Sequence, residues 1–249
     1  LFDEIKLKKL ISEVDICLNL VGILHEKGRL STFKNLHSNF PKKIAEICCS
    51  ENVKFVHVSA LGSEKAIDSK YATSKVSGEK FVRDILPDST IIKPSLVYSV
   101  DDNFTTKFMS LLSVLPIFPL YYNGKTKFMP IHVSDLAEII FFVISKEIYA
   151  TEIEAIGPET LSFKEILKIL MKCIKKNRIL LPMPLPLARL TAFLMQILPE
   201  PPITQDQINL LKYDNIKTEK GTSNFDIGCP SKLKFEDTVM KYAFNWTEG

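Results

Sequence analysis

Glycine is scarce in this chain. Its nine glycines in 249 residues are dispersed and nowhere form Gly-x-Gly-x-x-Gly or a looser glycine loop. Such a loop is how a helix N-terminus is offered to a pyrophosphate, so no such cradle is expected within this sequence. Cysteine is sparse as well. Cys17, Cys48, Cys49, Cys173 and Cys229 show no Cys-x-x-Cys or Cys/His ligand spacing. That excludes a disulfide framework and a zinc site, and predicts buried thiols in a reducing compartment; no metal is expected. No uninterrupted apolar run of about 18 residues occurs, so no spanning helix is expected, and there is no secretory signal. Neither sign of charge dominates: the net charge is +3, with acidic residues interspersed among the basic ones. This excludes a broad nucleic-acid surface. The densest basic group, Lys172, Lys175, Lys176 and Arg178, reads as a solvated helix end.

What is present is an alternation of helical and strand patterns. The hydrophobic fraction of 46% and charged fraction of 24% are those of a packed protein. Residues 3–12 have helical spacing with acids in the first turn. The apolar run from Asp15 to Gly22 reads as a strand buried on both faces, the pattern of a parallel sheet. A helix is expected from about Ser31 to Ser50, a strand from Val53 to Ser59, a helix from Tyr71 to Leu86 and a strand from Thr90 to Pro94. Strand and helix alternating through short joins predict right-handed crossovers and an α/β fold. Further helices are expected over 103–115, over 134–146 with Ser134 as cap, over 162–176 with a Ser162/Glu165 capping box, and over 187–198. Asn123-Gly124 marks a turn. Prolines 182, 184, 186, 199, 201 and 202 punctuate the last third.

Tyr71 and Lys75 carry the chemistry. Four residues apart on a helix, they share one face and can reach a common ligand. A tyrosine titrates near 10 in isolation; a neighbouring ammonium is expected to lower that value towards the range useful for proton transfer. The lysine also offers three donors to ribose hydroxyls. Loops at the carboxyl ends of parallel strands are where open α/β sheets bind ligands, and both Asn19–Gly22 and Ser59 sit at such ends. Among the other titratable groups, His57 and His132 read as structural histidines, His25 and His37 as surface residues, and Asp135 as a helix-start acid.

These residues resemble the short-chain dehydrogenase/reductase superfamily in its extended or atypical branch. Asn19-Leu20-Val21-Gly22 resembles the fourth-strand ending that lines the cofactor, His57-Val58-Ser59 the fifth-strand ending that brings a serine. Ser69 to Lys75 resembles the active-site helix, and Lys93-Pro94-Ser95 the strand end that touches the nicotinamide. Tyr71–Lys80, Thr90–Ser95, Asp102–Phe104, Pro130–Asp135, Ile156–Pro158, Leu181–Pro186 and Thr204–Gln207 together resemble the branch found as an accessory subunit of respiratory complex I. The resemblance implies a Rossmann-like parallel sheet with helices on both faces over 1–157 and a smaller, mostly helical region over 158–249. It implies a catalytic set of Ser59, Tyr71 and Lys75, and a cofactor set of Leu20, Val21, Gly22, Ser59, Tyr71, Lys75, Pro94 and Ser95. NADPH is the implied cofactor, with NAD left open. Other complex I subunits are the implied partners, at the cytoplasmic face of a bacterial inner membrane or the matrix side of a mitochondrial one, without turnover of its own.

Two departures qualify this. The superfamily's second hydroxyl comes one or two positions past the first serine of the fifth-strand ending, where this chain has Ala60 and Leu61; Ser59 is the remaining candidate. The superfamily's glycine loop lies in a strand–helix unit before the region present here, so the chain, opening on Leu1, is expected to lack its first strands. An active nucleotide-sugar epimerase/dehydratase or reductase stays open as the alternative. The apolar segment 181–198 has two readings, as core or as contact with a partner or a membrane surface.

Overall fold

The computed structural model describes residues 3–195 and 203–247. Its elements in order are α1 (Glu4–Ile11), β1 (Ile16–Asn19), a π-helical turn (Lys34–Asn39) running into α2 (Phe40–Glu51), β2 (Lys54–Val58), α3 (Lys70–Ile85) and β3 (Thr90–Pro94). Then follow β4 (Val97–Tyr98), α4 (Thr105–Val114), β5 (Ile117–Leu120), β6 (Lys127–Phe128), β7 (Ile131–His132), α5 (Val133–Ser145) and β8 (Glu152–Ala155). The last third holds β9 (Leu161–Ser162), α6 (Phe163–Cys173), β10 (Ile179–Pro182), α7 (Leu185–Met195), α8 (Gln205–Leu210) and α9 (Phe235–Val239). The expected end of the 187–198 helix and prolines 199, 201 and 202 lie outside the described residues.

The central sheet has the order β1-β2-β3-β8, and every pairing in it is parallel. Period-2 alternation sorts its side chains to two faces. Phe55 and Ile91 pack beneath α1, α2 and α3 with Ile44, Cys48 and Val82. Their neighbours Val56 and Ile92 pack on the other face with Leu136, Ile139 and Val143 of α5. A parallel sheet covered on both faces is the expected Rossmann-like α/β fold. A third cluster gathers Tyr98, Met109, Phe118, Phe163, Leu167, Ile208 and Phe235 from segments on either side of β8.

Several expectations change in the structure. β1 is an edge strand with Leu18 36% exposed, not a strand buried on both faces. It also stops at Asn19, because the Asn19 side chain accepts the Val21 N–H at 3.0 Å and turns the chain. The cap of α5 is His132, whose Nδ1 accepts the Ser134 N–H, rather than Ser134 itself. Ser162 and Glu165 form the expected capping box. His37 is buried, not a surface residue, and Cys49 is exposed. The short strands β4–β7, β9 and β10 and helix α8 were not legible as periodic segments; two to six residues carry too few repeats of any period.

Gly78 explains how His37 comes inside. The π-helical turn crosses α3 at this glycine, where a Cβ would sit 1.9 Å from the His37 carbonyl oxygen. Only a residue without a side chain permits that approach. Gly78→Ala gains about 1 kcal/mol of helix propensity, yet overpacking of this order costs about 1–3 kcal/mol. The expected net result is a lower urea midpoint with unchanged m-value; a raised midpoint would refute the contact.

Candidate functional site

The site is assembled at the carboxyl ends of β1, β2 and β3. Helix α3 begins at Lys70, with the Ser69 Oγ accepting the Ala72 N–H at 3.2 Å. A second cap arrives from 135 residues away in sequence. The Asp206 carboxylate accepts the Lys70 N–H at 2.6 Å, the Tyr71 N–H at 3.0 Å and the Ser69 hydroxyl at 2.8 Å. A carboxylate on the free N–H groups of a first turn is favoured by the helix dipole and by charge-assisted hydrogen bonds. It also fixes where Tyr71 starts. The Tyr71 ring is then held edge-on against Phe33 and His37, at centroid distances of 5.8 and 5.2 Å.

His37 is wired on both nitrogens. Its Nε2 accepts the Ile23 N–H at 3.0 Å, so Nδ1 carries the proton and donates to the Ser74 Oγ at 3.0 Å. Ser74 passes its own proton to the Tyr71 carbonyl at 2.6 Å. Burial first, and the Lys75 ammonium second, push His37 down to about 3. His57 is likewise pushed down to about 3, by burial and then by Lys75. Its Nδ1 accepts from the Asn19 amide at 3.0 Å, which leaves Nε2–H buried without a partner among the described residues.

Lys75 lies one turn below Tyr71 and is 5% exposed. Its one hydrogen bond among the described residues runs to the Val58 carbonyl at 3.5 Å. A Cβ on Gly22 would stand 3.4 Å from the Lys75 Nζ, so the loop after β1 closes against the ammonium. Burial draws Lys75 down to about 8, against the pull of Glu79. The half-buried Tyr71 moves the other way. Enclosure of its ring, with the Asp206 carboxylate adding to it, pushes the phenol up to about 12. The expected lowering of Tyr71 by Lys75 is therefore corrected: burial and Asp206 both raise the phenol, and Lys75 is not among the causes of its shift.

The Ser59 hydroxyl is engaged within the protein. It donates to the Glu79 carboxylate, which in turn lies 2.8 Å from the Lys93 ammonium. Lys93 also contacts Glu64, and Glu152 at 2.8 Å; Arg83 closes the cluster on Glu152 at 2.7 Å. Burial would lower Lys93, but Glu79, Glu152 and Glu64 together raise it above its ordinary value. Ser95 donates to Asn215, whose amide donates to the Leu61 carbonyl.

Of the sequence-derived residues, Ser59, Tyr71, Pro94 and Ser95 line one cavity of about 430 Å³. Gly22 and Lys75 meet beside it, outside that lining. Leu20 is exposed, and Val21 packs on the cluster beneath α2. Sequence reasoning missed Glu79, Asp206, Asn215 and the buried role of His37. Glu79 had a signal, an acid four residues after Lys75 on the same helical face. Asp206 had one too, inside the Thr204/Gln207 capping box.

A parallel sheet covered on both faces, with a Tyr-x-x-x-Lys helix at its carboxyl edge, is a Rossmann-like arrangement. The structure superposes on a dTDP-4-dehydrorhamnose reductase from Bacillus anthracis in complex with NADP with a TM-score of 0.66 at 12% identity, covering 98% of this chain and 85% of that one. In sequence, the chain's relatives include mitochondrial NADH dehydrogenase (ubiquinone) 1 alpha subcomplex subunit 9 proteins. It is 25% identical to the one from Arabidopsis thaliana over 93% of its length, and 29% identical to that from Dictyostelium discoideum over 68%. It spans 61% and 47% of those relatives' own lengths. No family profile matches the chain.

Two outcomes are expected. Asp206→Ala removes the second cap of α3 and should cost about 0.5–2 kcal/mol of stability, the range for lost helix caps; equal denaturation midpoints for variant and parent would refute it. His37 is depressed in the folded state, so the unfolded chain binds the extra proton and stability falls as the pH drops from about 6.5 towards about 3. Between pH 7 and pH 5 this amounts to on the order of 2 kcal/mol for one such histidine. His37→Phe should flatten the pH dependence of the urea midpoint by that amount; an unchanged slope would count against a neutral buried His37.

Proposed function

We propose that the chain binds NADPH and serves as a structural accessory subunit of the proton-pumping NADH:ubiquinone oxidoreductase, complex I, without turnover of its own. The observation that carries the binding half is Lys75: a buried ammonium with three donors, one long hydrogen bond, and a glycine beside it. Ribose hydroxyls supply the acceptors it lacks. In this reading Tyr71 and Lys75 grip the nicotinamide ribose, with Leu20, Val21, Gly22, Ser59, Pro94 and Ser95 around the cofactor. The bound nucleotide stabilises the fold because it binds only the native state. Ser59 supports the absence of turnover. Its proton is given to Glu79, and Ala60 and Leu61 offer no replacement hydroxyl at these positions to orient a substrate carbonyl against Tyr71.

The relatives' names, which print NADH dehydrogenase (ubiquinone) and mitochondrial, support the partner and a mitochondrial location. No helix among the described residues is long and apolar enough to cross a membrane. Exposed Leu181, Leu185, Leu187 and Leu190 suit peripheral contact with a subunit or the membrane surface through 181–198, of which 196–198 lie outside the described residues. The second reading, an active reductase or epimerase/dehydratase, is favoured by the cavity beside Tyr71.

Purified chain should release NADPH on denaturation. Lys75→Ala should weaken NADPH binding at least tenfold, while Tyr71→Phe should leave co-purification with complex I intact. Hydride exchange with a sugar nucleotide that Tyr71→Phe abolishes would replace this reading with the enzymatic one.

A further inference from the structure

The cavity beside Tyr71 has a wall that selects its occupant. Its apolar lining comes from Leu61, Leu96, Phe104, Phe108, Phe128 and Leu211. Several of the polar side chains that also reach it are engaged within the protein, while Asn103, Lys107 and Tyr213 complete the polar lining. Ser59 donates to Glu79, Ser63 to the Ala60 carbonyl at 3.0 Å, and Ser95 to Asn215 at 2.6 Å. Asn215 donates to the Leu61 carbonyl, Gln207 accepts the Thr204 N–H at 3.0 Å, and Asp214 accepts the Lys127 N–H at 2.8 Å. A hydroxyl-rich sugar nucleotide would bring many donors and acceptors to a largely apolar wall.

We infer that this cavity takes a single linear alkyl or acyl chain carrying one small neutral polar head, with the head at Tyr71 and the chain between the phenylalanines. The size of about 430 Å³ lies in the range of small-molecule sites, and such sites combine mostly apolar walls with few polar groups. Tyr71 is the polar anchor: raised to about 12, its phenol stays protonated at neutral pH and donates to a carbonyl or hydroxyl oxygen. This identifies the occupant of the cavity next to the proposed nucleotide site, and rests on that reading only in treating the two sites as neighbours.

The test is displacement of the neutral fluorophore N-phenyl-1-naphthylamine from the full chain by 2-alkanones, from octanone to dodecanone, with UDP-glucose as the competing ligand class. Burial of each methylene, worth about 0.8 kcal/mol, should tighten binding about fourfold per added carbon until the cavity is full. Ala60→Phe, which fills the cavity, should weaken the longest ketone at least tenfold. Leu24→Asp acts at the rim, where Leu24 is 47% exposed and the fold is not at stake; it should weaken all members. Binding without chain-length dependence, displacement by UDP-glucose at concentrations below those of the ketones, or indifference to both substitutions would overturn the inference. Because the measurement is made without nucleotide, its failure leaves NADPH binding untouched, and loss of NADPH binding leaves the ketone series intact.

Discussion

The Lys93 ammonium, caught between Glu79, Glu64 and Glu152, is the contact on which the site's character depends. Lys93 comes from β3, Glu79 from α3 and Glu152 from β8, so one buried cation ties α3 to two strands of the central sheet. A buried pair is weak evidence of net stabilisation, because desolvation of both partners offsets their attraction. Its firm consequence is geometric. Glu79 cannot leave Lys93 without stranding a buried charge, and while it stays it holds the Ser59 proton. The same carboxylate sits one helical turn beyond Lys75, where it opposes the loss of that lysine's charge. One acid therefore holds the Ser59 proton and opposes loss of the lysine's charge.

The amino end of the same helix depends on a residue far along the chain. Asp206 caps Lys70 and Tyr71, Asn209 donates to the Asp68 carbonyl at 2.9 Å, and Asn215 joins Leu61 to Ser95. The segment from α8 to Asn215 thus binds the loop after β2, the start of α3 and the end of β3 together. It also supplies Leu210, Leu211 and Tyr213 to the cavity. The phenol's position and the cavity's wall are set by one segment, so displacement of that segment would alter both.

What could be read from the sequence follows from where the determinants lie. The β1–β3 strands and α2 and α3 were legible because each is a run long enough to show its period, and because the apolar side chains that make the period are the ones that bury. The Tyr71/Lys75 pair was legible because both residues sit within one helical turn. Three features were hidden for a common reason. The His37 environment depends on a π-helical turn passing Gly78, the fate of the Ser59 hydroxyl on a glutamate 20 residues away, and the cap of Tyr71 on an aspartate beyond residue 200. No local period records a contact between segments. The tyrosine's pKa was misjudged because charge proximity is visible in a sequence and enclosure is not.

Enclosure also gives the opposite shifts of Tyr71 and Lys75 a single origin. Removing water penalises whichever form is charged, so it raises the phenol and lowers the ammonium. A ribose that brings oxygen acceptors to Lys75 returns some of what water had supplied, and favours the charged lysine. It offers no comparable benefit to a phenolate, since Tyr71 faces the Asp206 carboxylate from the start of its own helix. The same enclosure thus accounts for a phenol that keeps its proton at neutral pH and a lysine whose charge the pocket opposes.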